Sequence, residues 1–159
     1  MRSALSPLSL LVLAALLAGC SAADREPDLA ELQADPGYAL VMPGADLLAT
    51  VGDRRISTIT GPQPAFAGHI FGTFASSDEV YAWYEAELSR LGWSKDRAFG
   101  RSTVELENRE YCRPGSGARF RLAIKDKDRA FREELYKGRD YVTVFDARLM
   151  AVPMNAPCP

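Results

Sequence analysis

The chain has 159 residues, 47% of them apolar and 25% charged, and 19 basic against 21 acidic side chains leave a formal charge of −2. That balance excludes a nucleic-acid binder, which concentrates basic charge in one field. The apolar fraction is enough for one domain core, and no internal repeat or low-complexity tract divides the chain.

Arg2 followed by the apolar run Leu8 to Ala18 has the plan of a secretory signal, whose apolar centre is about 7 to 15 residues long. The run is too short to cross a hydrocarbon core, which needs about 20 residues, and polar residues follow at once. It ends in Leu17-Ala18-Gly19-Cys20, which resembles the lipobox of bacterial lipoproteins. The resemblance implies cleavage before Cys20, with residues 1–19 as signal peptide, and a diacylglyceryl group on the Cys20 sulfur, with fatty chains such as palmitate. A plain cleaved signal with an incidental cysteine is the competing reading. Each buried methylene contributes about 0.8 kcal/mol, and two chains anchor stably where one holds only marginally. Ser21 is not the aspartate that resembles an inner-membrane retention signal, so the expected address is extracytoplasmic and membrane-anchored, the outer membrane if the cell is Gram-negative.

Removal of the signal leaves 140 residues, 18 basic and 21 acidic, near the commonest size of a single domain. Cys112 and Cys158 then remain, in a compartment where disulfides persist. Their pairing would close a loop of about 46 residues, worth roughly 4 kcal/mol in the chain-entropy model, and pin the tail Val152 to Pro159. Free thiols are one alternative. A zinc site is another, for which two cysteines and a lone distant histidine are a poor set.

Residues 20–36 are polar and mixed in charge, with Pro27 and Pro36, and read as the lipidated N-terminus and a flexible tether; Asp28 to Gln33 is long enough for one helical turn. The globular domain is expected over residues 37–159. Asp46 to Val51 and the β-branched Arg55 to Thr60 suggest a hairpin about Gly52-Asp53-Arg54-Arg55, which Gly61-Pro62-Gln63-Pro64 ends. Ala65 to Phe74 alternates: Phe66, Ile70 and Phe74 share one face, with Gly68 and Gly72 allowing close approach to it, and His69 and Phe71 take the other.

Ser76 to Trp93 is the clearest helix. Ser76 and Glu79 form a capping box, Val80, Trp83, Tyr84, Leu88 and Leu91 recur at helical spacing, and Gly92 stands at the left-handed cap. The aromatic stripe is read as core. Ser102 to Cys112 and Ala118 to Lys125 make a hairpin about Arg113-Pro114-Gly115-Ser116-Gly117, and the separation of Phe120, Leu122 and Ile124 from Arg119, Arg121 and Lys125 predicts a sheet with one wet face. Asp126 to Gly138 reads as a short surface helix, about residues 127–137. Tyr141 to Met150 is a strand apolar enough on both faces to be central.

The expected fold is therefore α+β: a curved antiparallel sheet of about five to six strands with the 76–92 helix across one face. The segment Tyr84, Leu88, Gly92, Trp93 resembles the strand-to-helix end of small secreted bacterial lipoproteins without an assigned activity. In architecture the domain also resembles the helix-on-sheet domains of lipoproteins that attend outer-membrane protein assembly.

His69 is the sole histidine and the natural candidate for acid–base chemistry near neutral pH, yet no Gly-x-Ser-x-Gly elbow accompanies it. Glu105 and Glu107 are spaced for glycoside chemistry or simply form a solvated strand face. Arg119, Arg121, Lys125, Lys127 and Arg129 form the densest basic cluster, suited to anionic lipid or cell-wall polymer, unless Glu105 and Glu107 neutralise it. No motif points to a metal or cofactor. The reading is a lipid-anchored, non-catalytic binding or scaffold module with an envelope protein or cell-wall partner. The alternatives are an envelope hydrolase using His69 and a structural or stress lipoprotein without a dedicated ligand.

Overall fold

The computed structural model describes residues 25–59, 61–99, 105–126 and 139–158. The expected signal peptide, Cys20 and the surface helix about 127–137 lie outside them. The described elements, in chain order, are α1 (Leu29–Ala34), β1 (Asp46–Asp53), β2 (Ile56–Thr58), β3 (Gly61–Gln63), β4 (Phe66–Thr73), α2 (Ser77–Arg90), β5 (Ser94–Phe99), β6 (Glu105–Cys112), β7 (Ala118–Lys125) and β8 (Thr143–Ala151).

Six strands form one open sheet in the order β1-β4-β8-β7-β6-β5, every pairing antiparallel. The fold is α+β as expected, and the last strand is indeed central: β8 lies between β4 and β7, with Phe145 opposite both Phe71 and Ile124. Helix α2 packs across one face. Val80, Tyr84 and Leu88 from the helix join Phe71, Phe120, Leu122, Phe145 and Leu149 from the sheet in the main core. Tyr81 joins them at 1% exposure, although the helical stripe read from the sequence leaves it out.

Both ends of α2 are held as its sequence requires. The Ser76 hydroxyl accepts from the Glu79 amide and the Glu79 carboxylate accepts from the Ser76 amide at 2.7 Å, so two orphan donors are satisfied at once. At the other end Gly92 adopts φ 81°, and Trp93 N–H donates to the Leu88 carbonyl at 2.9 Å while Gly92 N–H donates to Ser89 at 3.0 Å. This double bond pattern across a left-handed residue closes a helix C-terminus and delivers Trp93 into the core.

Four expectations are corrected. The tether is shorter than residues 20–36: from Arg25 onward the chain lies on the domain, and α1 opens with an Asp28–Glu31 capping box. One apolar side chain decides this, since Leu32 is 1% exposed in the main core. The β1 segment does not form a hairpin with the next β-branched run but pairs with β4, and residues between them fold back as a separate β2–β3 ribbon. Pairing with β4 lets Leu48 pack beside Ile70 and Val144 in a second apolar cluster, whereas Ile56 in the ribbon stays 44% exposed. Pro62 is tolerated because a two-stranded ribbon has a free edge for its missing donor.

The third correction is β5, whose Ser-Lys-Asp-Arg run carries no alternation. It is an edge strand on β6 with an irregularity between Lys95 and Arg97, and charge with a bulge is how edges avoid further pairing. The fourth concerns the sheet face opposite α2, which is not uniformly wet: Ala123, Lys125, Asn108 and Asp146 are all buried.

Close approach at the glycines of β4 is real. A Cβ on Gly72 would stand 2.6 Å from the Tyr141 ring, whose hydroxyl donates to Asp46 at 2.9 Å. Gly72→Ala should therefore lower the unfolding free energy by about 1–3 kcal/mol through overpacking, measured as a shifted urea midpoint. An unchanged midpoint would contradict the tight Gly72–Tyr141 contact.

Candidate functional site

The first and last described segments of the chain meet at one pole of the sheet. There β1 ends, β4 begins, β6 turns into β7 and β8 runs out. The turn needs left-handed backbone at Gly115 and Gly117, with φ 72° and 65°. A Cβ at Gly117 would meet Pro27 at 2.9 Å and Met154 at 3.1 Å, so the entering and departing segments both pack on this one residue.

The C-terminal tail crosses the pole by a short series of bonds. Val152 N–H donates to the Gly117 carbonyl at 2.8 Å, Met154 N–H donates to the Arg25 carbonyl at 3.3 Å, and the Arg119 guanidinium donates to the Pro157 carbonyl at 2.9 Å. The tail then brings Cys158 to disulfide distance from Cys112, with Cα atoms 5.6 Å apart, as their pairing in the sequence reading requires.

The N-terminal segment is tied to the same pole. Arg113 pairs with Asp35 and lies over the Trp93 ring at 4.7 Å, while Arg55 at the base of the ribbon pairs with Glu26 at 3.0 Å. Between α1 and that base opens a cleft of about 600 Å³, lined by Glu26, Asp28, Leu29, Gln33, Arg54 and Arg55 among others.

His69 stands elsewhere, at the β1–β4 margin on the helix side of the sheet. Its ring packs 4.5 Å from Tyr38 and 5.6 Å from Phe71 between centroids, and Nδ1 lies 3.3 Å from the Thr50 hydroxyl. Partial burial lowers its pKa, against a smaller opposing effect of a hydrogen bond with the Tyr38 backbone. The imidazole is therefore neutral at neutral pH, with a hydroxyl and aromatic rings for company.

The carboxylates do not gather either. An irregularity between Glu105 and Glu107 places Glu105 opposite Lys125 and Glu107 opposite Ile124. Glu107 accepts from Arg109 at 3.0 Å on its own strand, so it does not neutralise the basic cluster. Arg109 also donates to Glu85 of α2 at 3.0 Å, and Tyr111 donates to that carboxylate at 3.4 Å. Burial would raise the Glu85 pKa, but hydrogen bonds and charge from Lys95 and Arg109 bring it below the ordinary value. Burial and the adjacent Glu85 push the Tyr111 phenol up. This constellation fastens helix to sheet and keeps its members in their ordinary charge states.

Of the basic cluster, Arg119, Arg121 and Lys125 lie on the sheet face opposite α2, and Lys127 and Arg129 fall outside the described residues. Acids from other strands meet them. Asp96 pairs with Arg119, and Asp146 of β8, 1% exposed, accepts from Lys125 at 3.3 Å and is gripped on both oxygens by Arg148. Neither acid was singled out from the sequence. The available signal was Asp146 itself, a charge set inside the apolar run of a central strand, where an unpaired carboxylate is prohibitively costly.

Comparison with protein-family models, with curated proteins and with solved structures returned no match. The chemistry of the described site is that of a structural closure: paired charges, a cysteine pair and backbone bonds that gather the first and last described segments. With a separation of 46 residues between the cysteines, Cys112→Ser/Cys158→Ser should lower stability by roughly 4 kcal/mol and expose Pro153 to Pro157 to proteases. Equal stability and equal cleavage of the two proteins would contradict a closing role for the bridge.

Proposed function

We propose that the chain is a lipid-anchored, extracytoplasmic envelope protein whose folded part serves as a non-catalytic binding or scaffold module. The observation that carries this reading is the cysteine arithmetic. Cys112 and Cys158 stand at bonding distance, which accounts for two of the three cysteines and leaves Cys20, the last residue of the Leu-Ala-Gly-Cys segment, for acylation. A structural disulfide closing a long loop suits a compartment outside the cytosol, and the apolar run before Cys20 is the length of an export signal. An address outside the cytoplasm joins these features without further assumption.

The folded part supports a holding role by its own chemistry. His69 lies under Tyr38 beside a threonine hydroxyl, and the buried carboxylate Asp146 is committed to two cations. A buried carboxylate gripped by two cations in this way suits a rigid support. Ser21 favours the outer membrane in a Gram-negative cell, and an envelope protein or cell-wall polymer is the partner class.

Intact-mass and N-terminal fragment spectra of the protein extracted from its native membranes test the reading. The expected product begins at Cys20, lacks residues 1–19 and carries a diacylglyceryl adduct. A chain that begins at Met1, or a free thiol at position 20, would overturn it.

A further inference from the structure

Besides Val41 in the loop before β1 and Leu47 at the start of β1, 50% and 47% exposed, the exposed large apolar side chains among the described residues fall in two groups at opposite ends of the sheet. Phe74 and Val142, 61% and 57% exposed, flank the end where β4 finishes and β8 starts. At the opposite end the β2–β3 ribbon carries Ile56 at 44% exposure and Ile59 fully exposed. Ile59 follows directly on Thr58, which pairs with Gly61, so it stands at the turn of the ribbon with its side chain in solvent. An isoleucine fully exposed at a ribbon turn has no role in the core of this domain.

What lies beside the ribbon is the N-terminal segment. Glu26 is held to Arg55 at 3.0 Å, and Leu29 stands 3.3 Å from a Cβ placed on Gly52, next to the end of β1. Chain length then fixes a distance. Arg25 is five residues after Cys20, and five residues span at most about 18 Å. The ribbon from Arg55 to Ile59 is about 13 Å long at strand rise. The proposed acyl anchor and the ribbon thus start from adjacent points of the same pole, and the two segments are of similar length.

We propose that this pole faces the bilayer and that Ile59, with Ile56 behind it, enters the membrane interface as a second contact beside the acylated Cys20. The proposal rests on the lipid-anchor reading and adds an orientation to it. The occupant of the ribbon is the lipid surface itself. This pole carries no excess of positive charge: Arg25 pairs with Glu31, Arg55 pairs with Glu26, and Asp28 and Asp53 outnumber the remaining Arg54. The contact is therefore apolar and does not require anionic headgroups, in contrast to a polybasic anchor. A domain so held presents the opposite pole, with Phe74 and Val142, away from the membrane, about 26 Å along β4 at strand rise.

Depth-dependent quenching on the lipidated full-length protein tests this. In bilayers of phosphatidylethanolamine and phosphatidylglycerol, Ile59→Cys carries an environment-sensitive fluorophore at the sole thiol left free by acylation of Cys20 and the Cys112–Cys158 bridge; Val142→Cys is labelled in parallel. A phospholipid bearing a nitroxide high on its acyl chain should quench the label at residue 59 about threefold more than the label at 142. Intact mass of each sample distinguishes the two levels. A protein without the diacylglyceryl adduct removes the anchor reading and this orientation with it. An acylated, membrane-bound protein with equal quenching at both positions, or none at 59, overturns the orientation and leaves the anchor reading standing.

Discussion

The insertion of β8 between β4 and β7 is the constraint on which the rest of this structure depends. Without it the sheet is two separate pieces, β1 with β4 and β5 to β7, since among the described residues no other strand joins them. Phe145, Ala147 and Leu149 of β8 lie in the main core, and Val144 anchors the second apolar cluster on the opposite face. A single strand therefore contributes to both hydrophobic clusters. Because it is the last of the described elements, the sheet is completed only when Thr143 to Ala151 are in place.

Completion of β8 also sets the geometry of the pole. Running antiparallel to its neighbours, β8 ends beside the β6–β7 turn, and the next residues meet Gly117, Arg25 and finally Cys112. The clamp thus follows from strand direction. The same direction brings the start of the described chain, Arg25 to Leu29, to the end of the sheet that carries the β2–β3 ribbon. In the proposed function the domain is then fastened to its anchor at its most tightly closed end, so a pull on the lipidated terminus acts on α1, the bridge and the tail together.

Asp146 shows what this arrangement costs and how it is offset. Burial of a carboxylate in a central strand is unfavourable unless it is paired and hydrogen-bonded. Here Lys125 and the forked Arg148 guanidinium supply the pairing, and Arg148 extends over the Phe66 ring at 5.2 Å, covering apolar surface with its stem. Partners of this kind also favour one register: a two-residue slip of β8 on β7 would bring a different residue opposite Ala123 and part Asp146 from Lys125.

Legibility in the sequence followed the strength of the local physics. Helix α2 was readable because its cap residues, periodicity and terminal glycine all agree, and the β6–β7 hairpin because Gly115 and Gly117 demand a turn. Tyr81 was missed although it lies three and seven residues before Tyr84 and Leu88 on the same helix face; part of its cover is the Arg109 guanidinium, 3.7 Å from its ring, a partner from a strand distant in sequence. Charged β5 was hidden because an edge strand needs only one partner; α1 was legible as one helical turn over Asp28 to Gln33, but its docking was not, because no local pattern shows Leu32 joining the core. The cysteine pair was legible from compartment and count, whereas the acids that meet Arg119 and Lys125 come from strands distant in sequence, which no local pattern reveals.

Native-state hydrogen exchange of the bridged protein tests the primacy of β8 most directly. The amides of Val144 to Leu149 should exchange only through global unfolding, with opening free energies equal to the global value, and those of β4 and β7 that bond to them should match. Exchange of β8 through an opening of lower free energy, while the β6–β7 hairpin or the β1–β4 pair stays protected, would contradict the account.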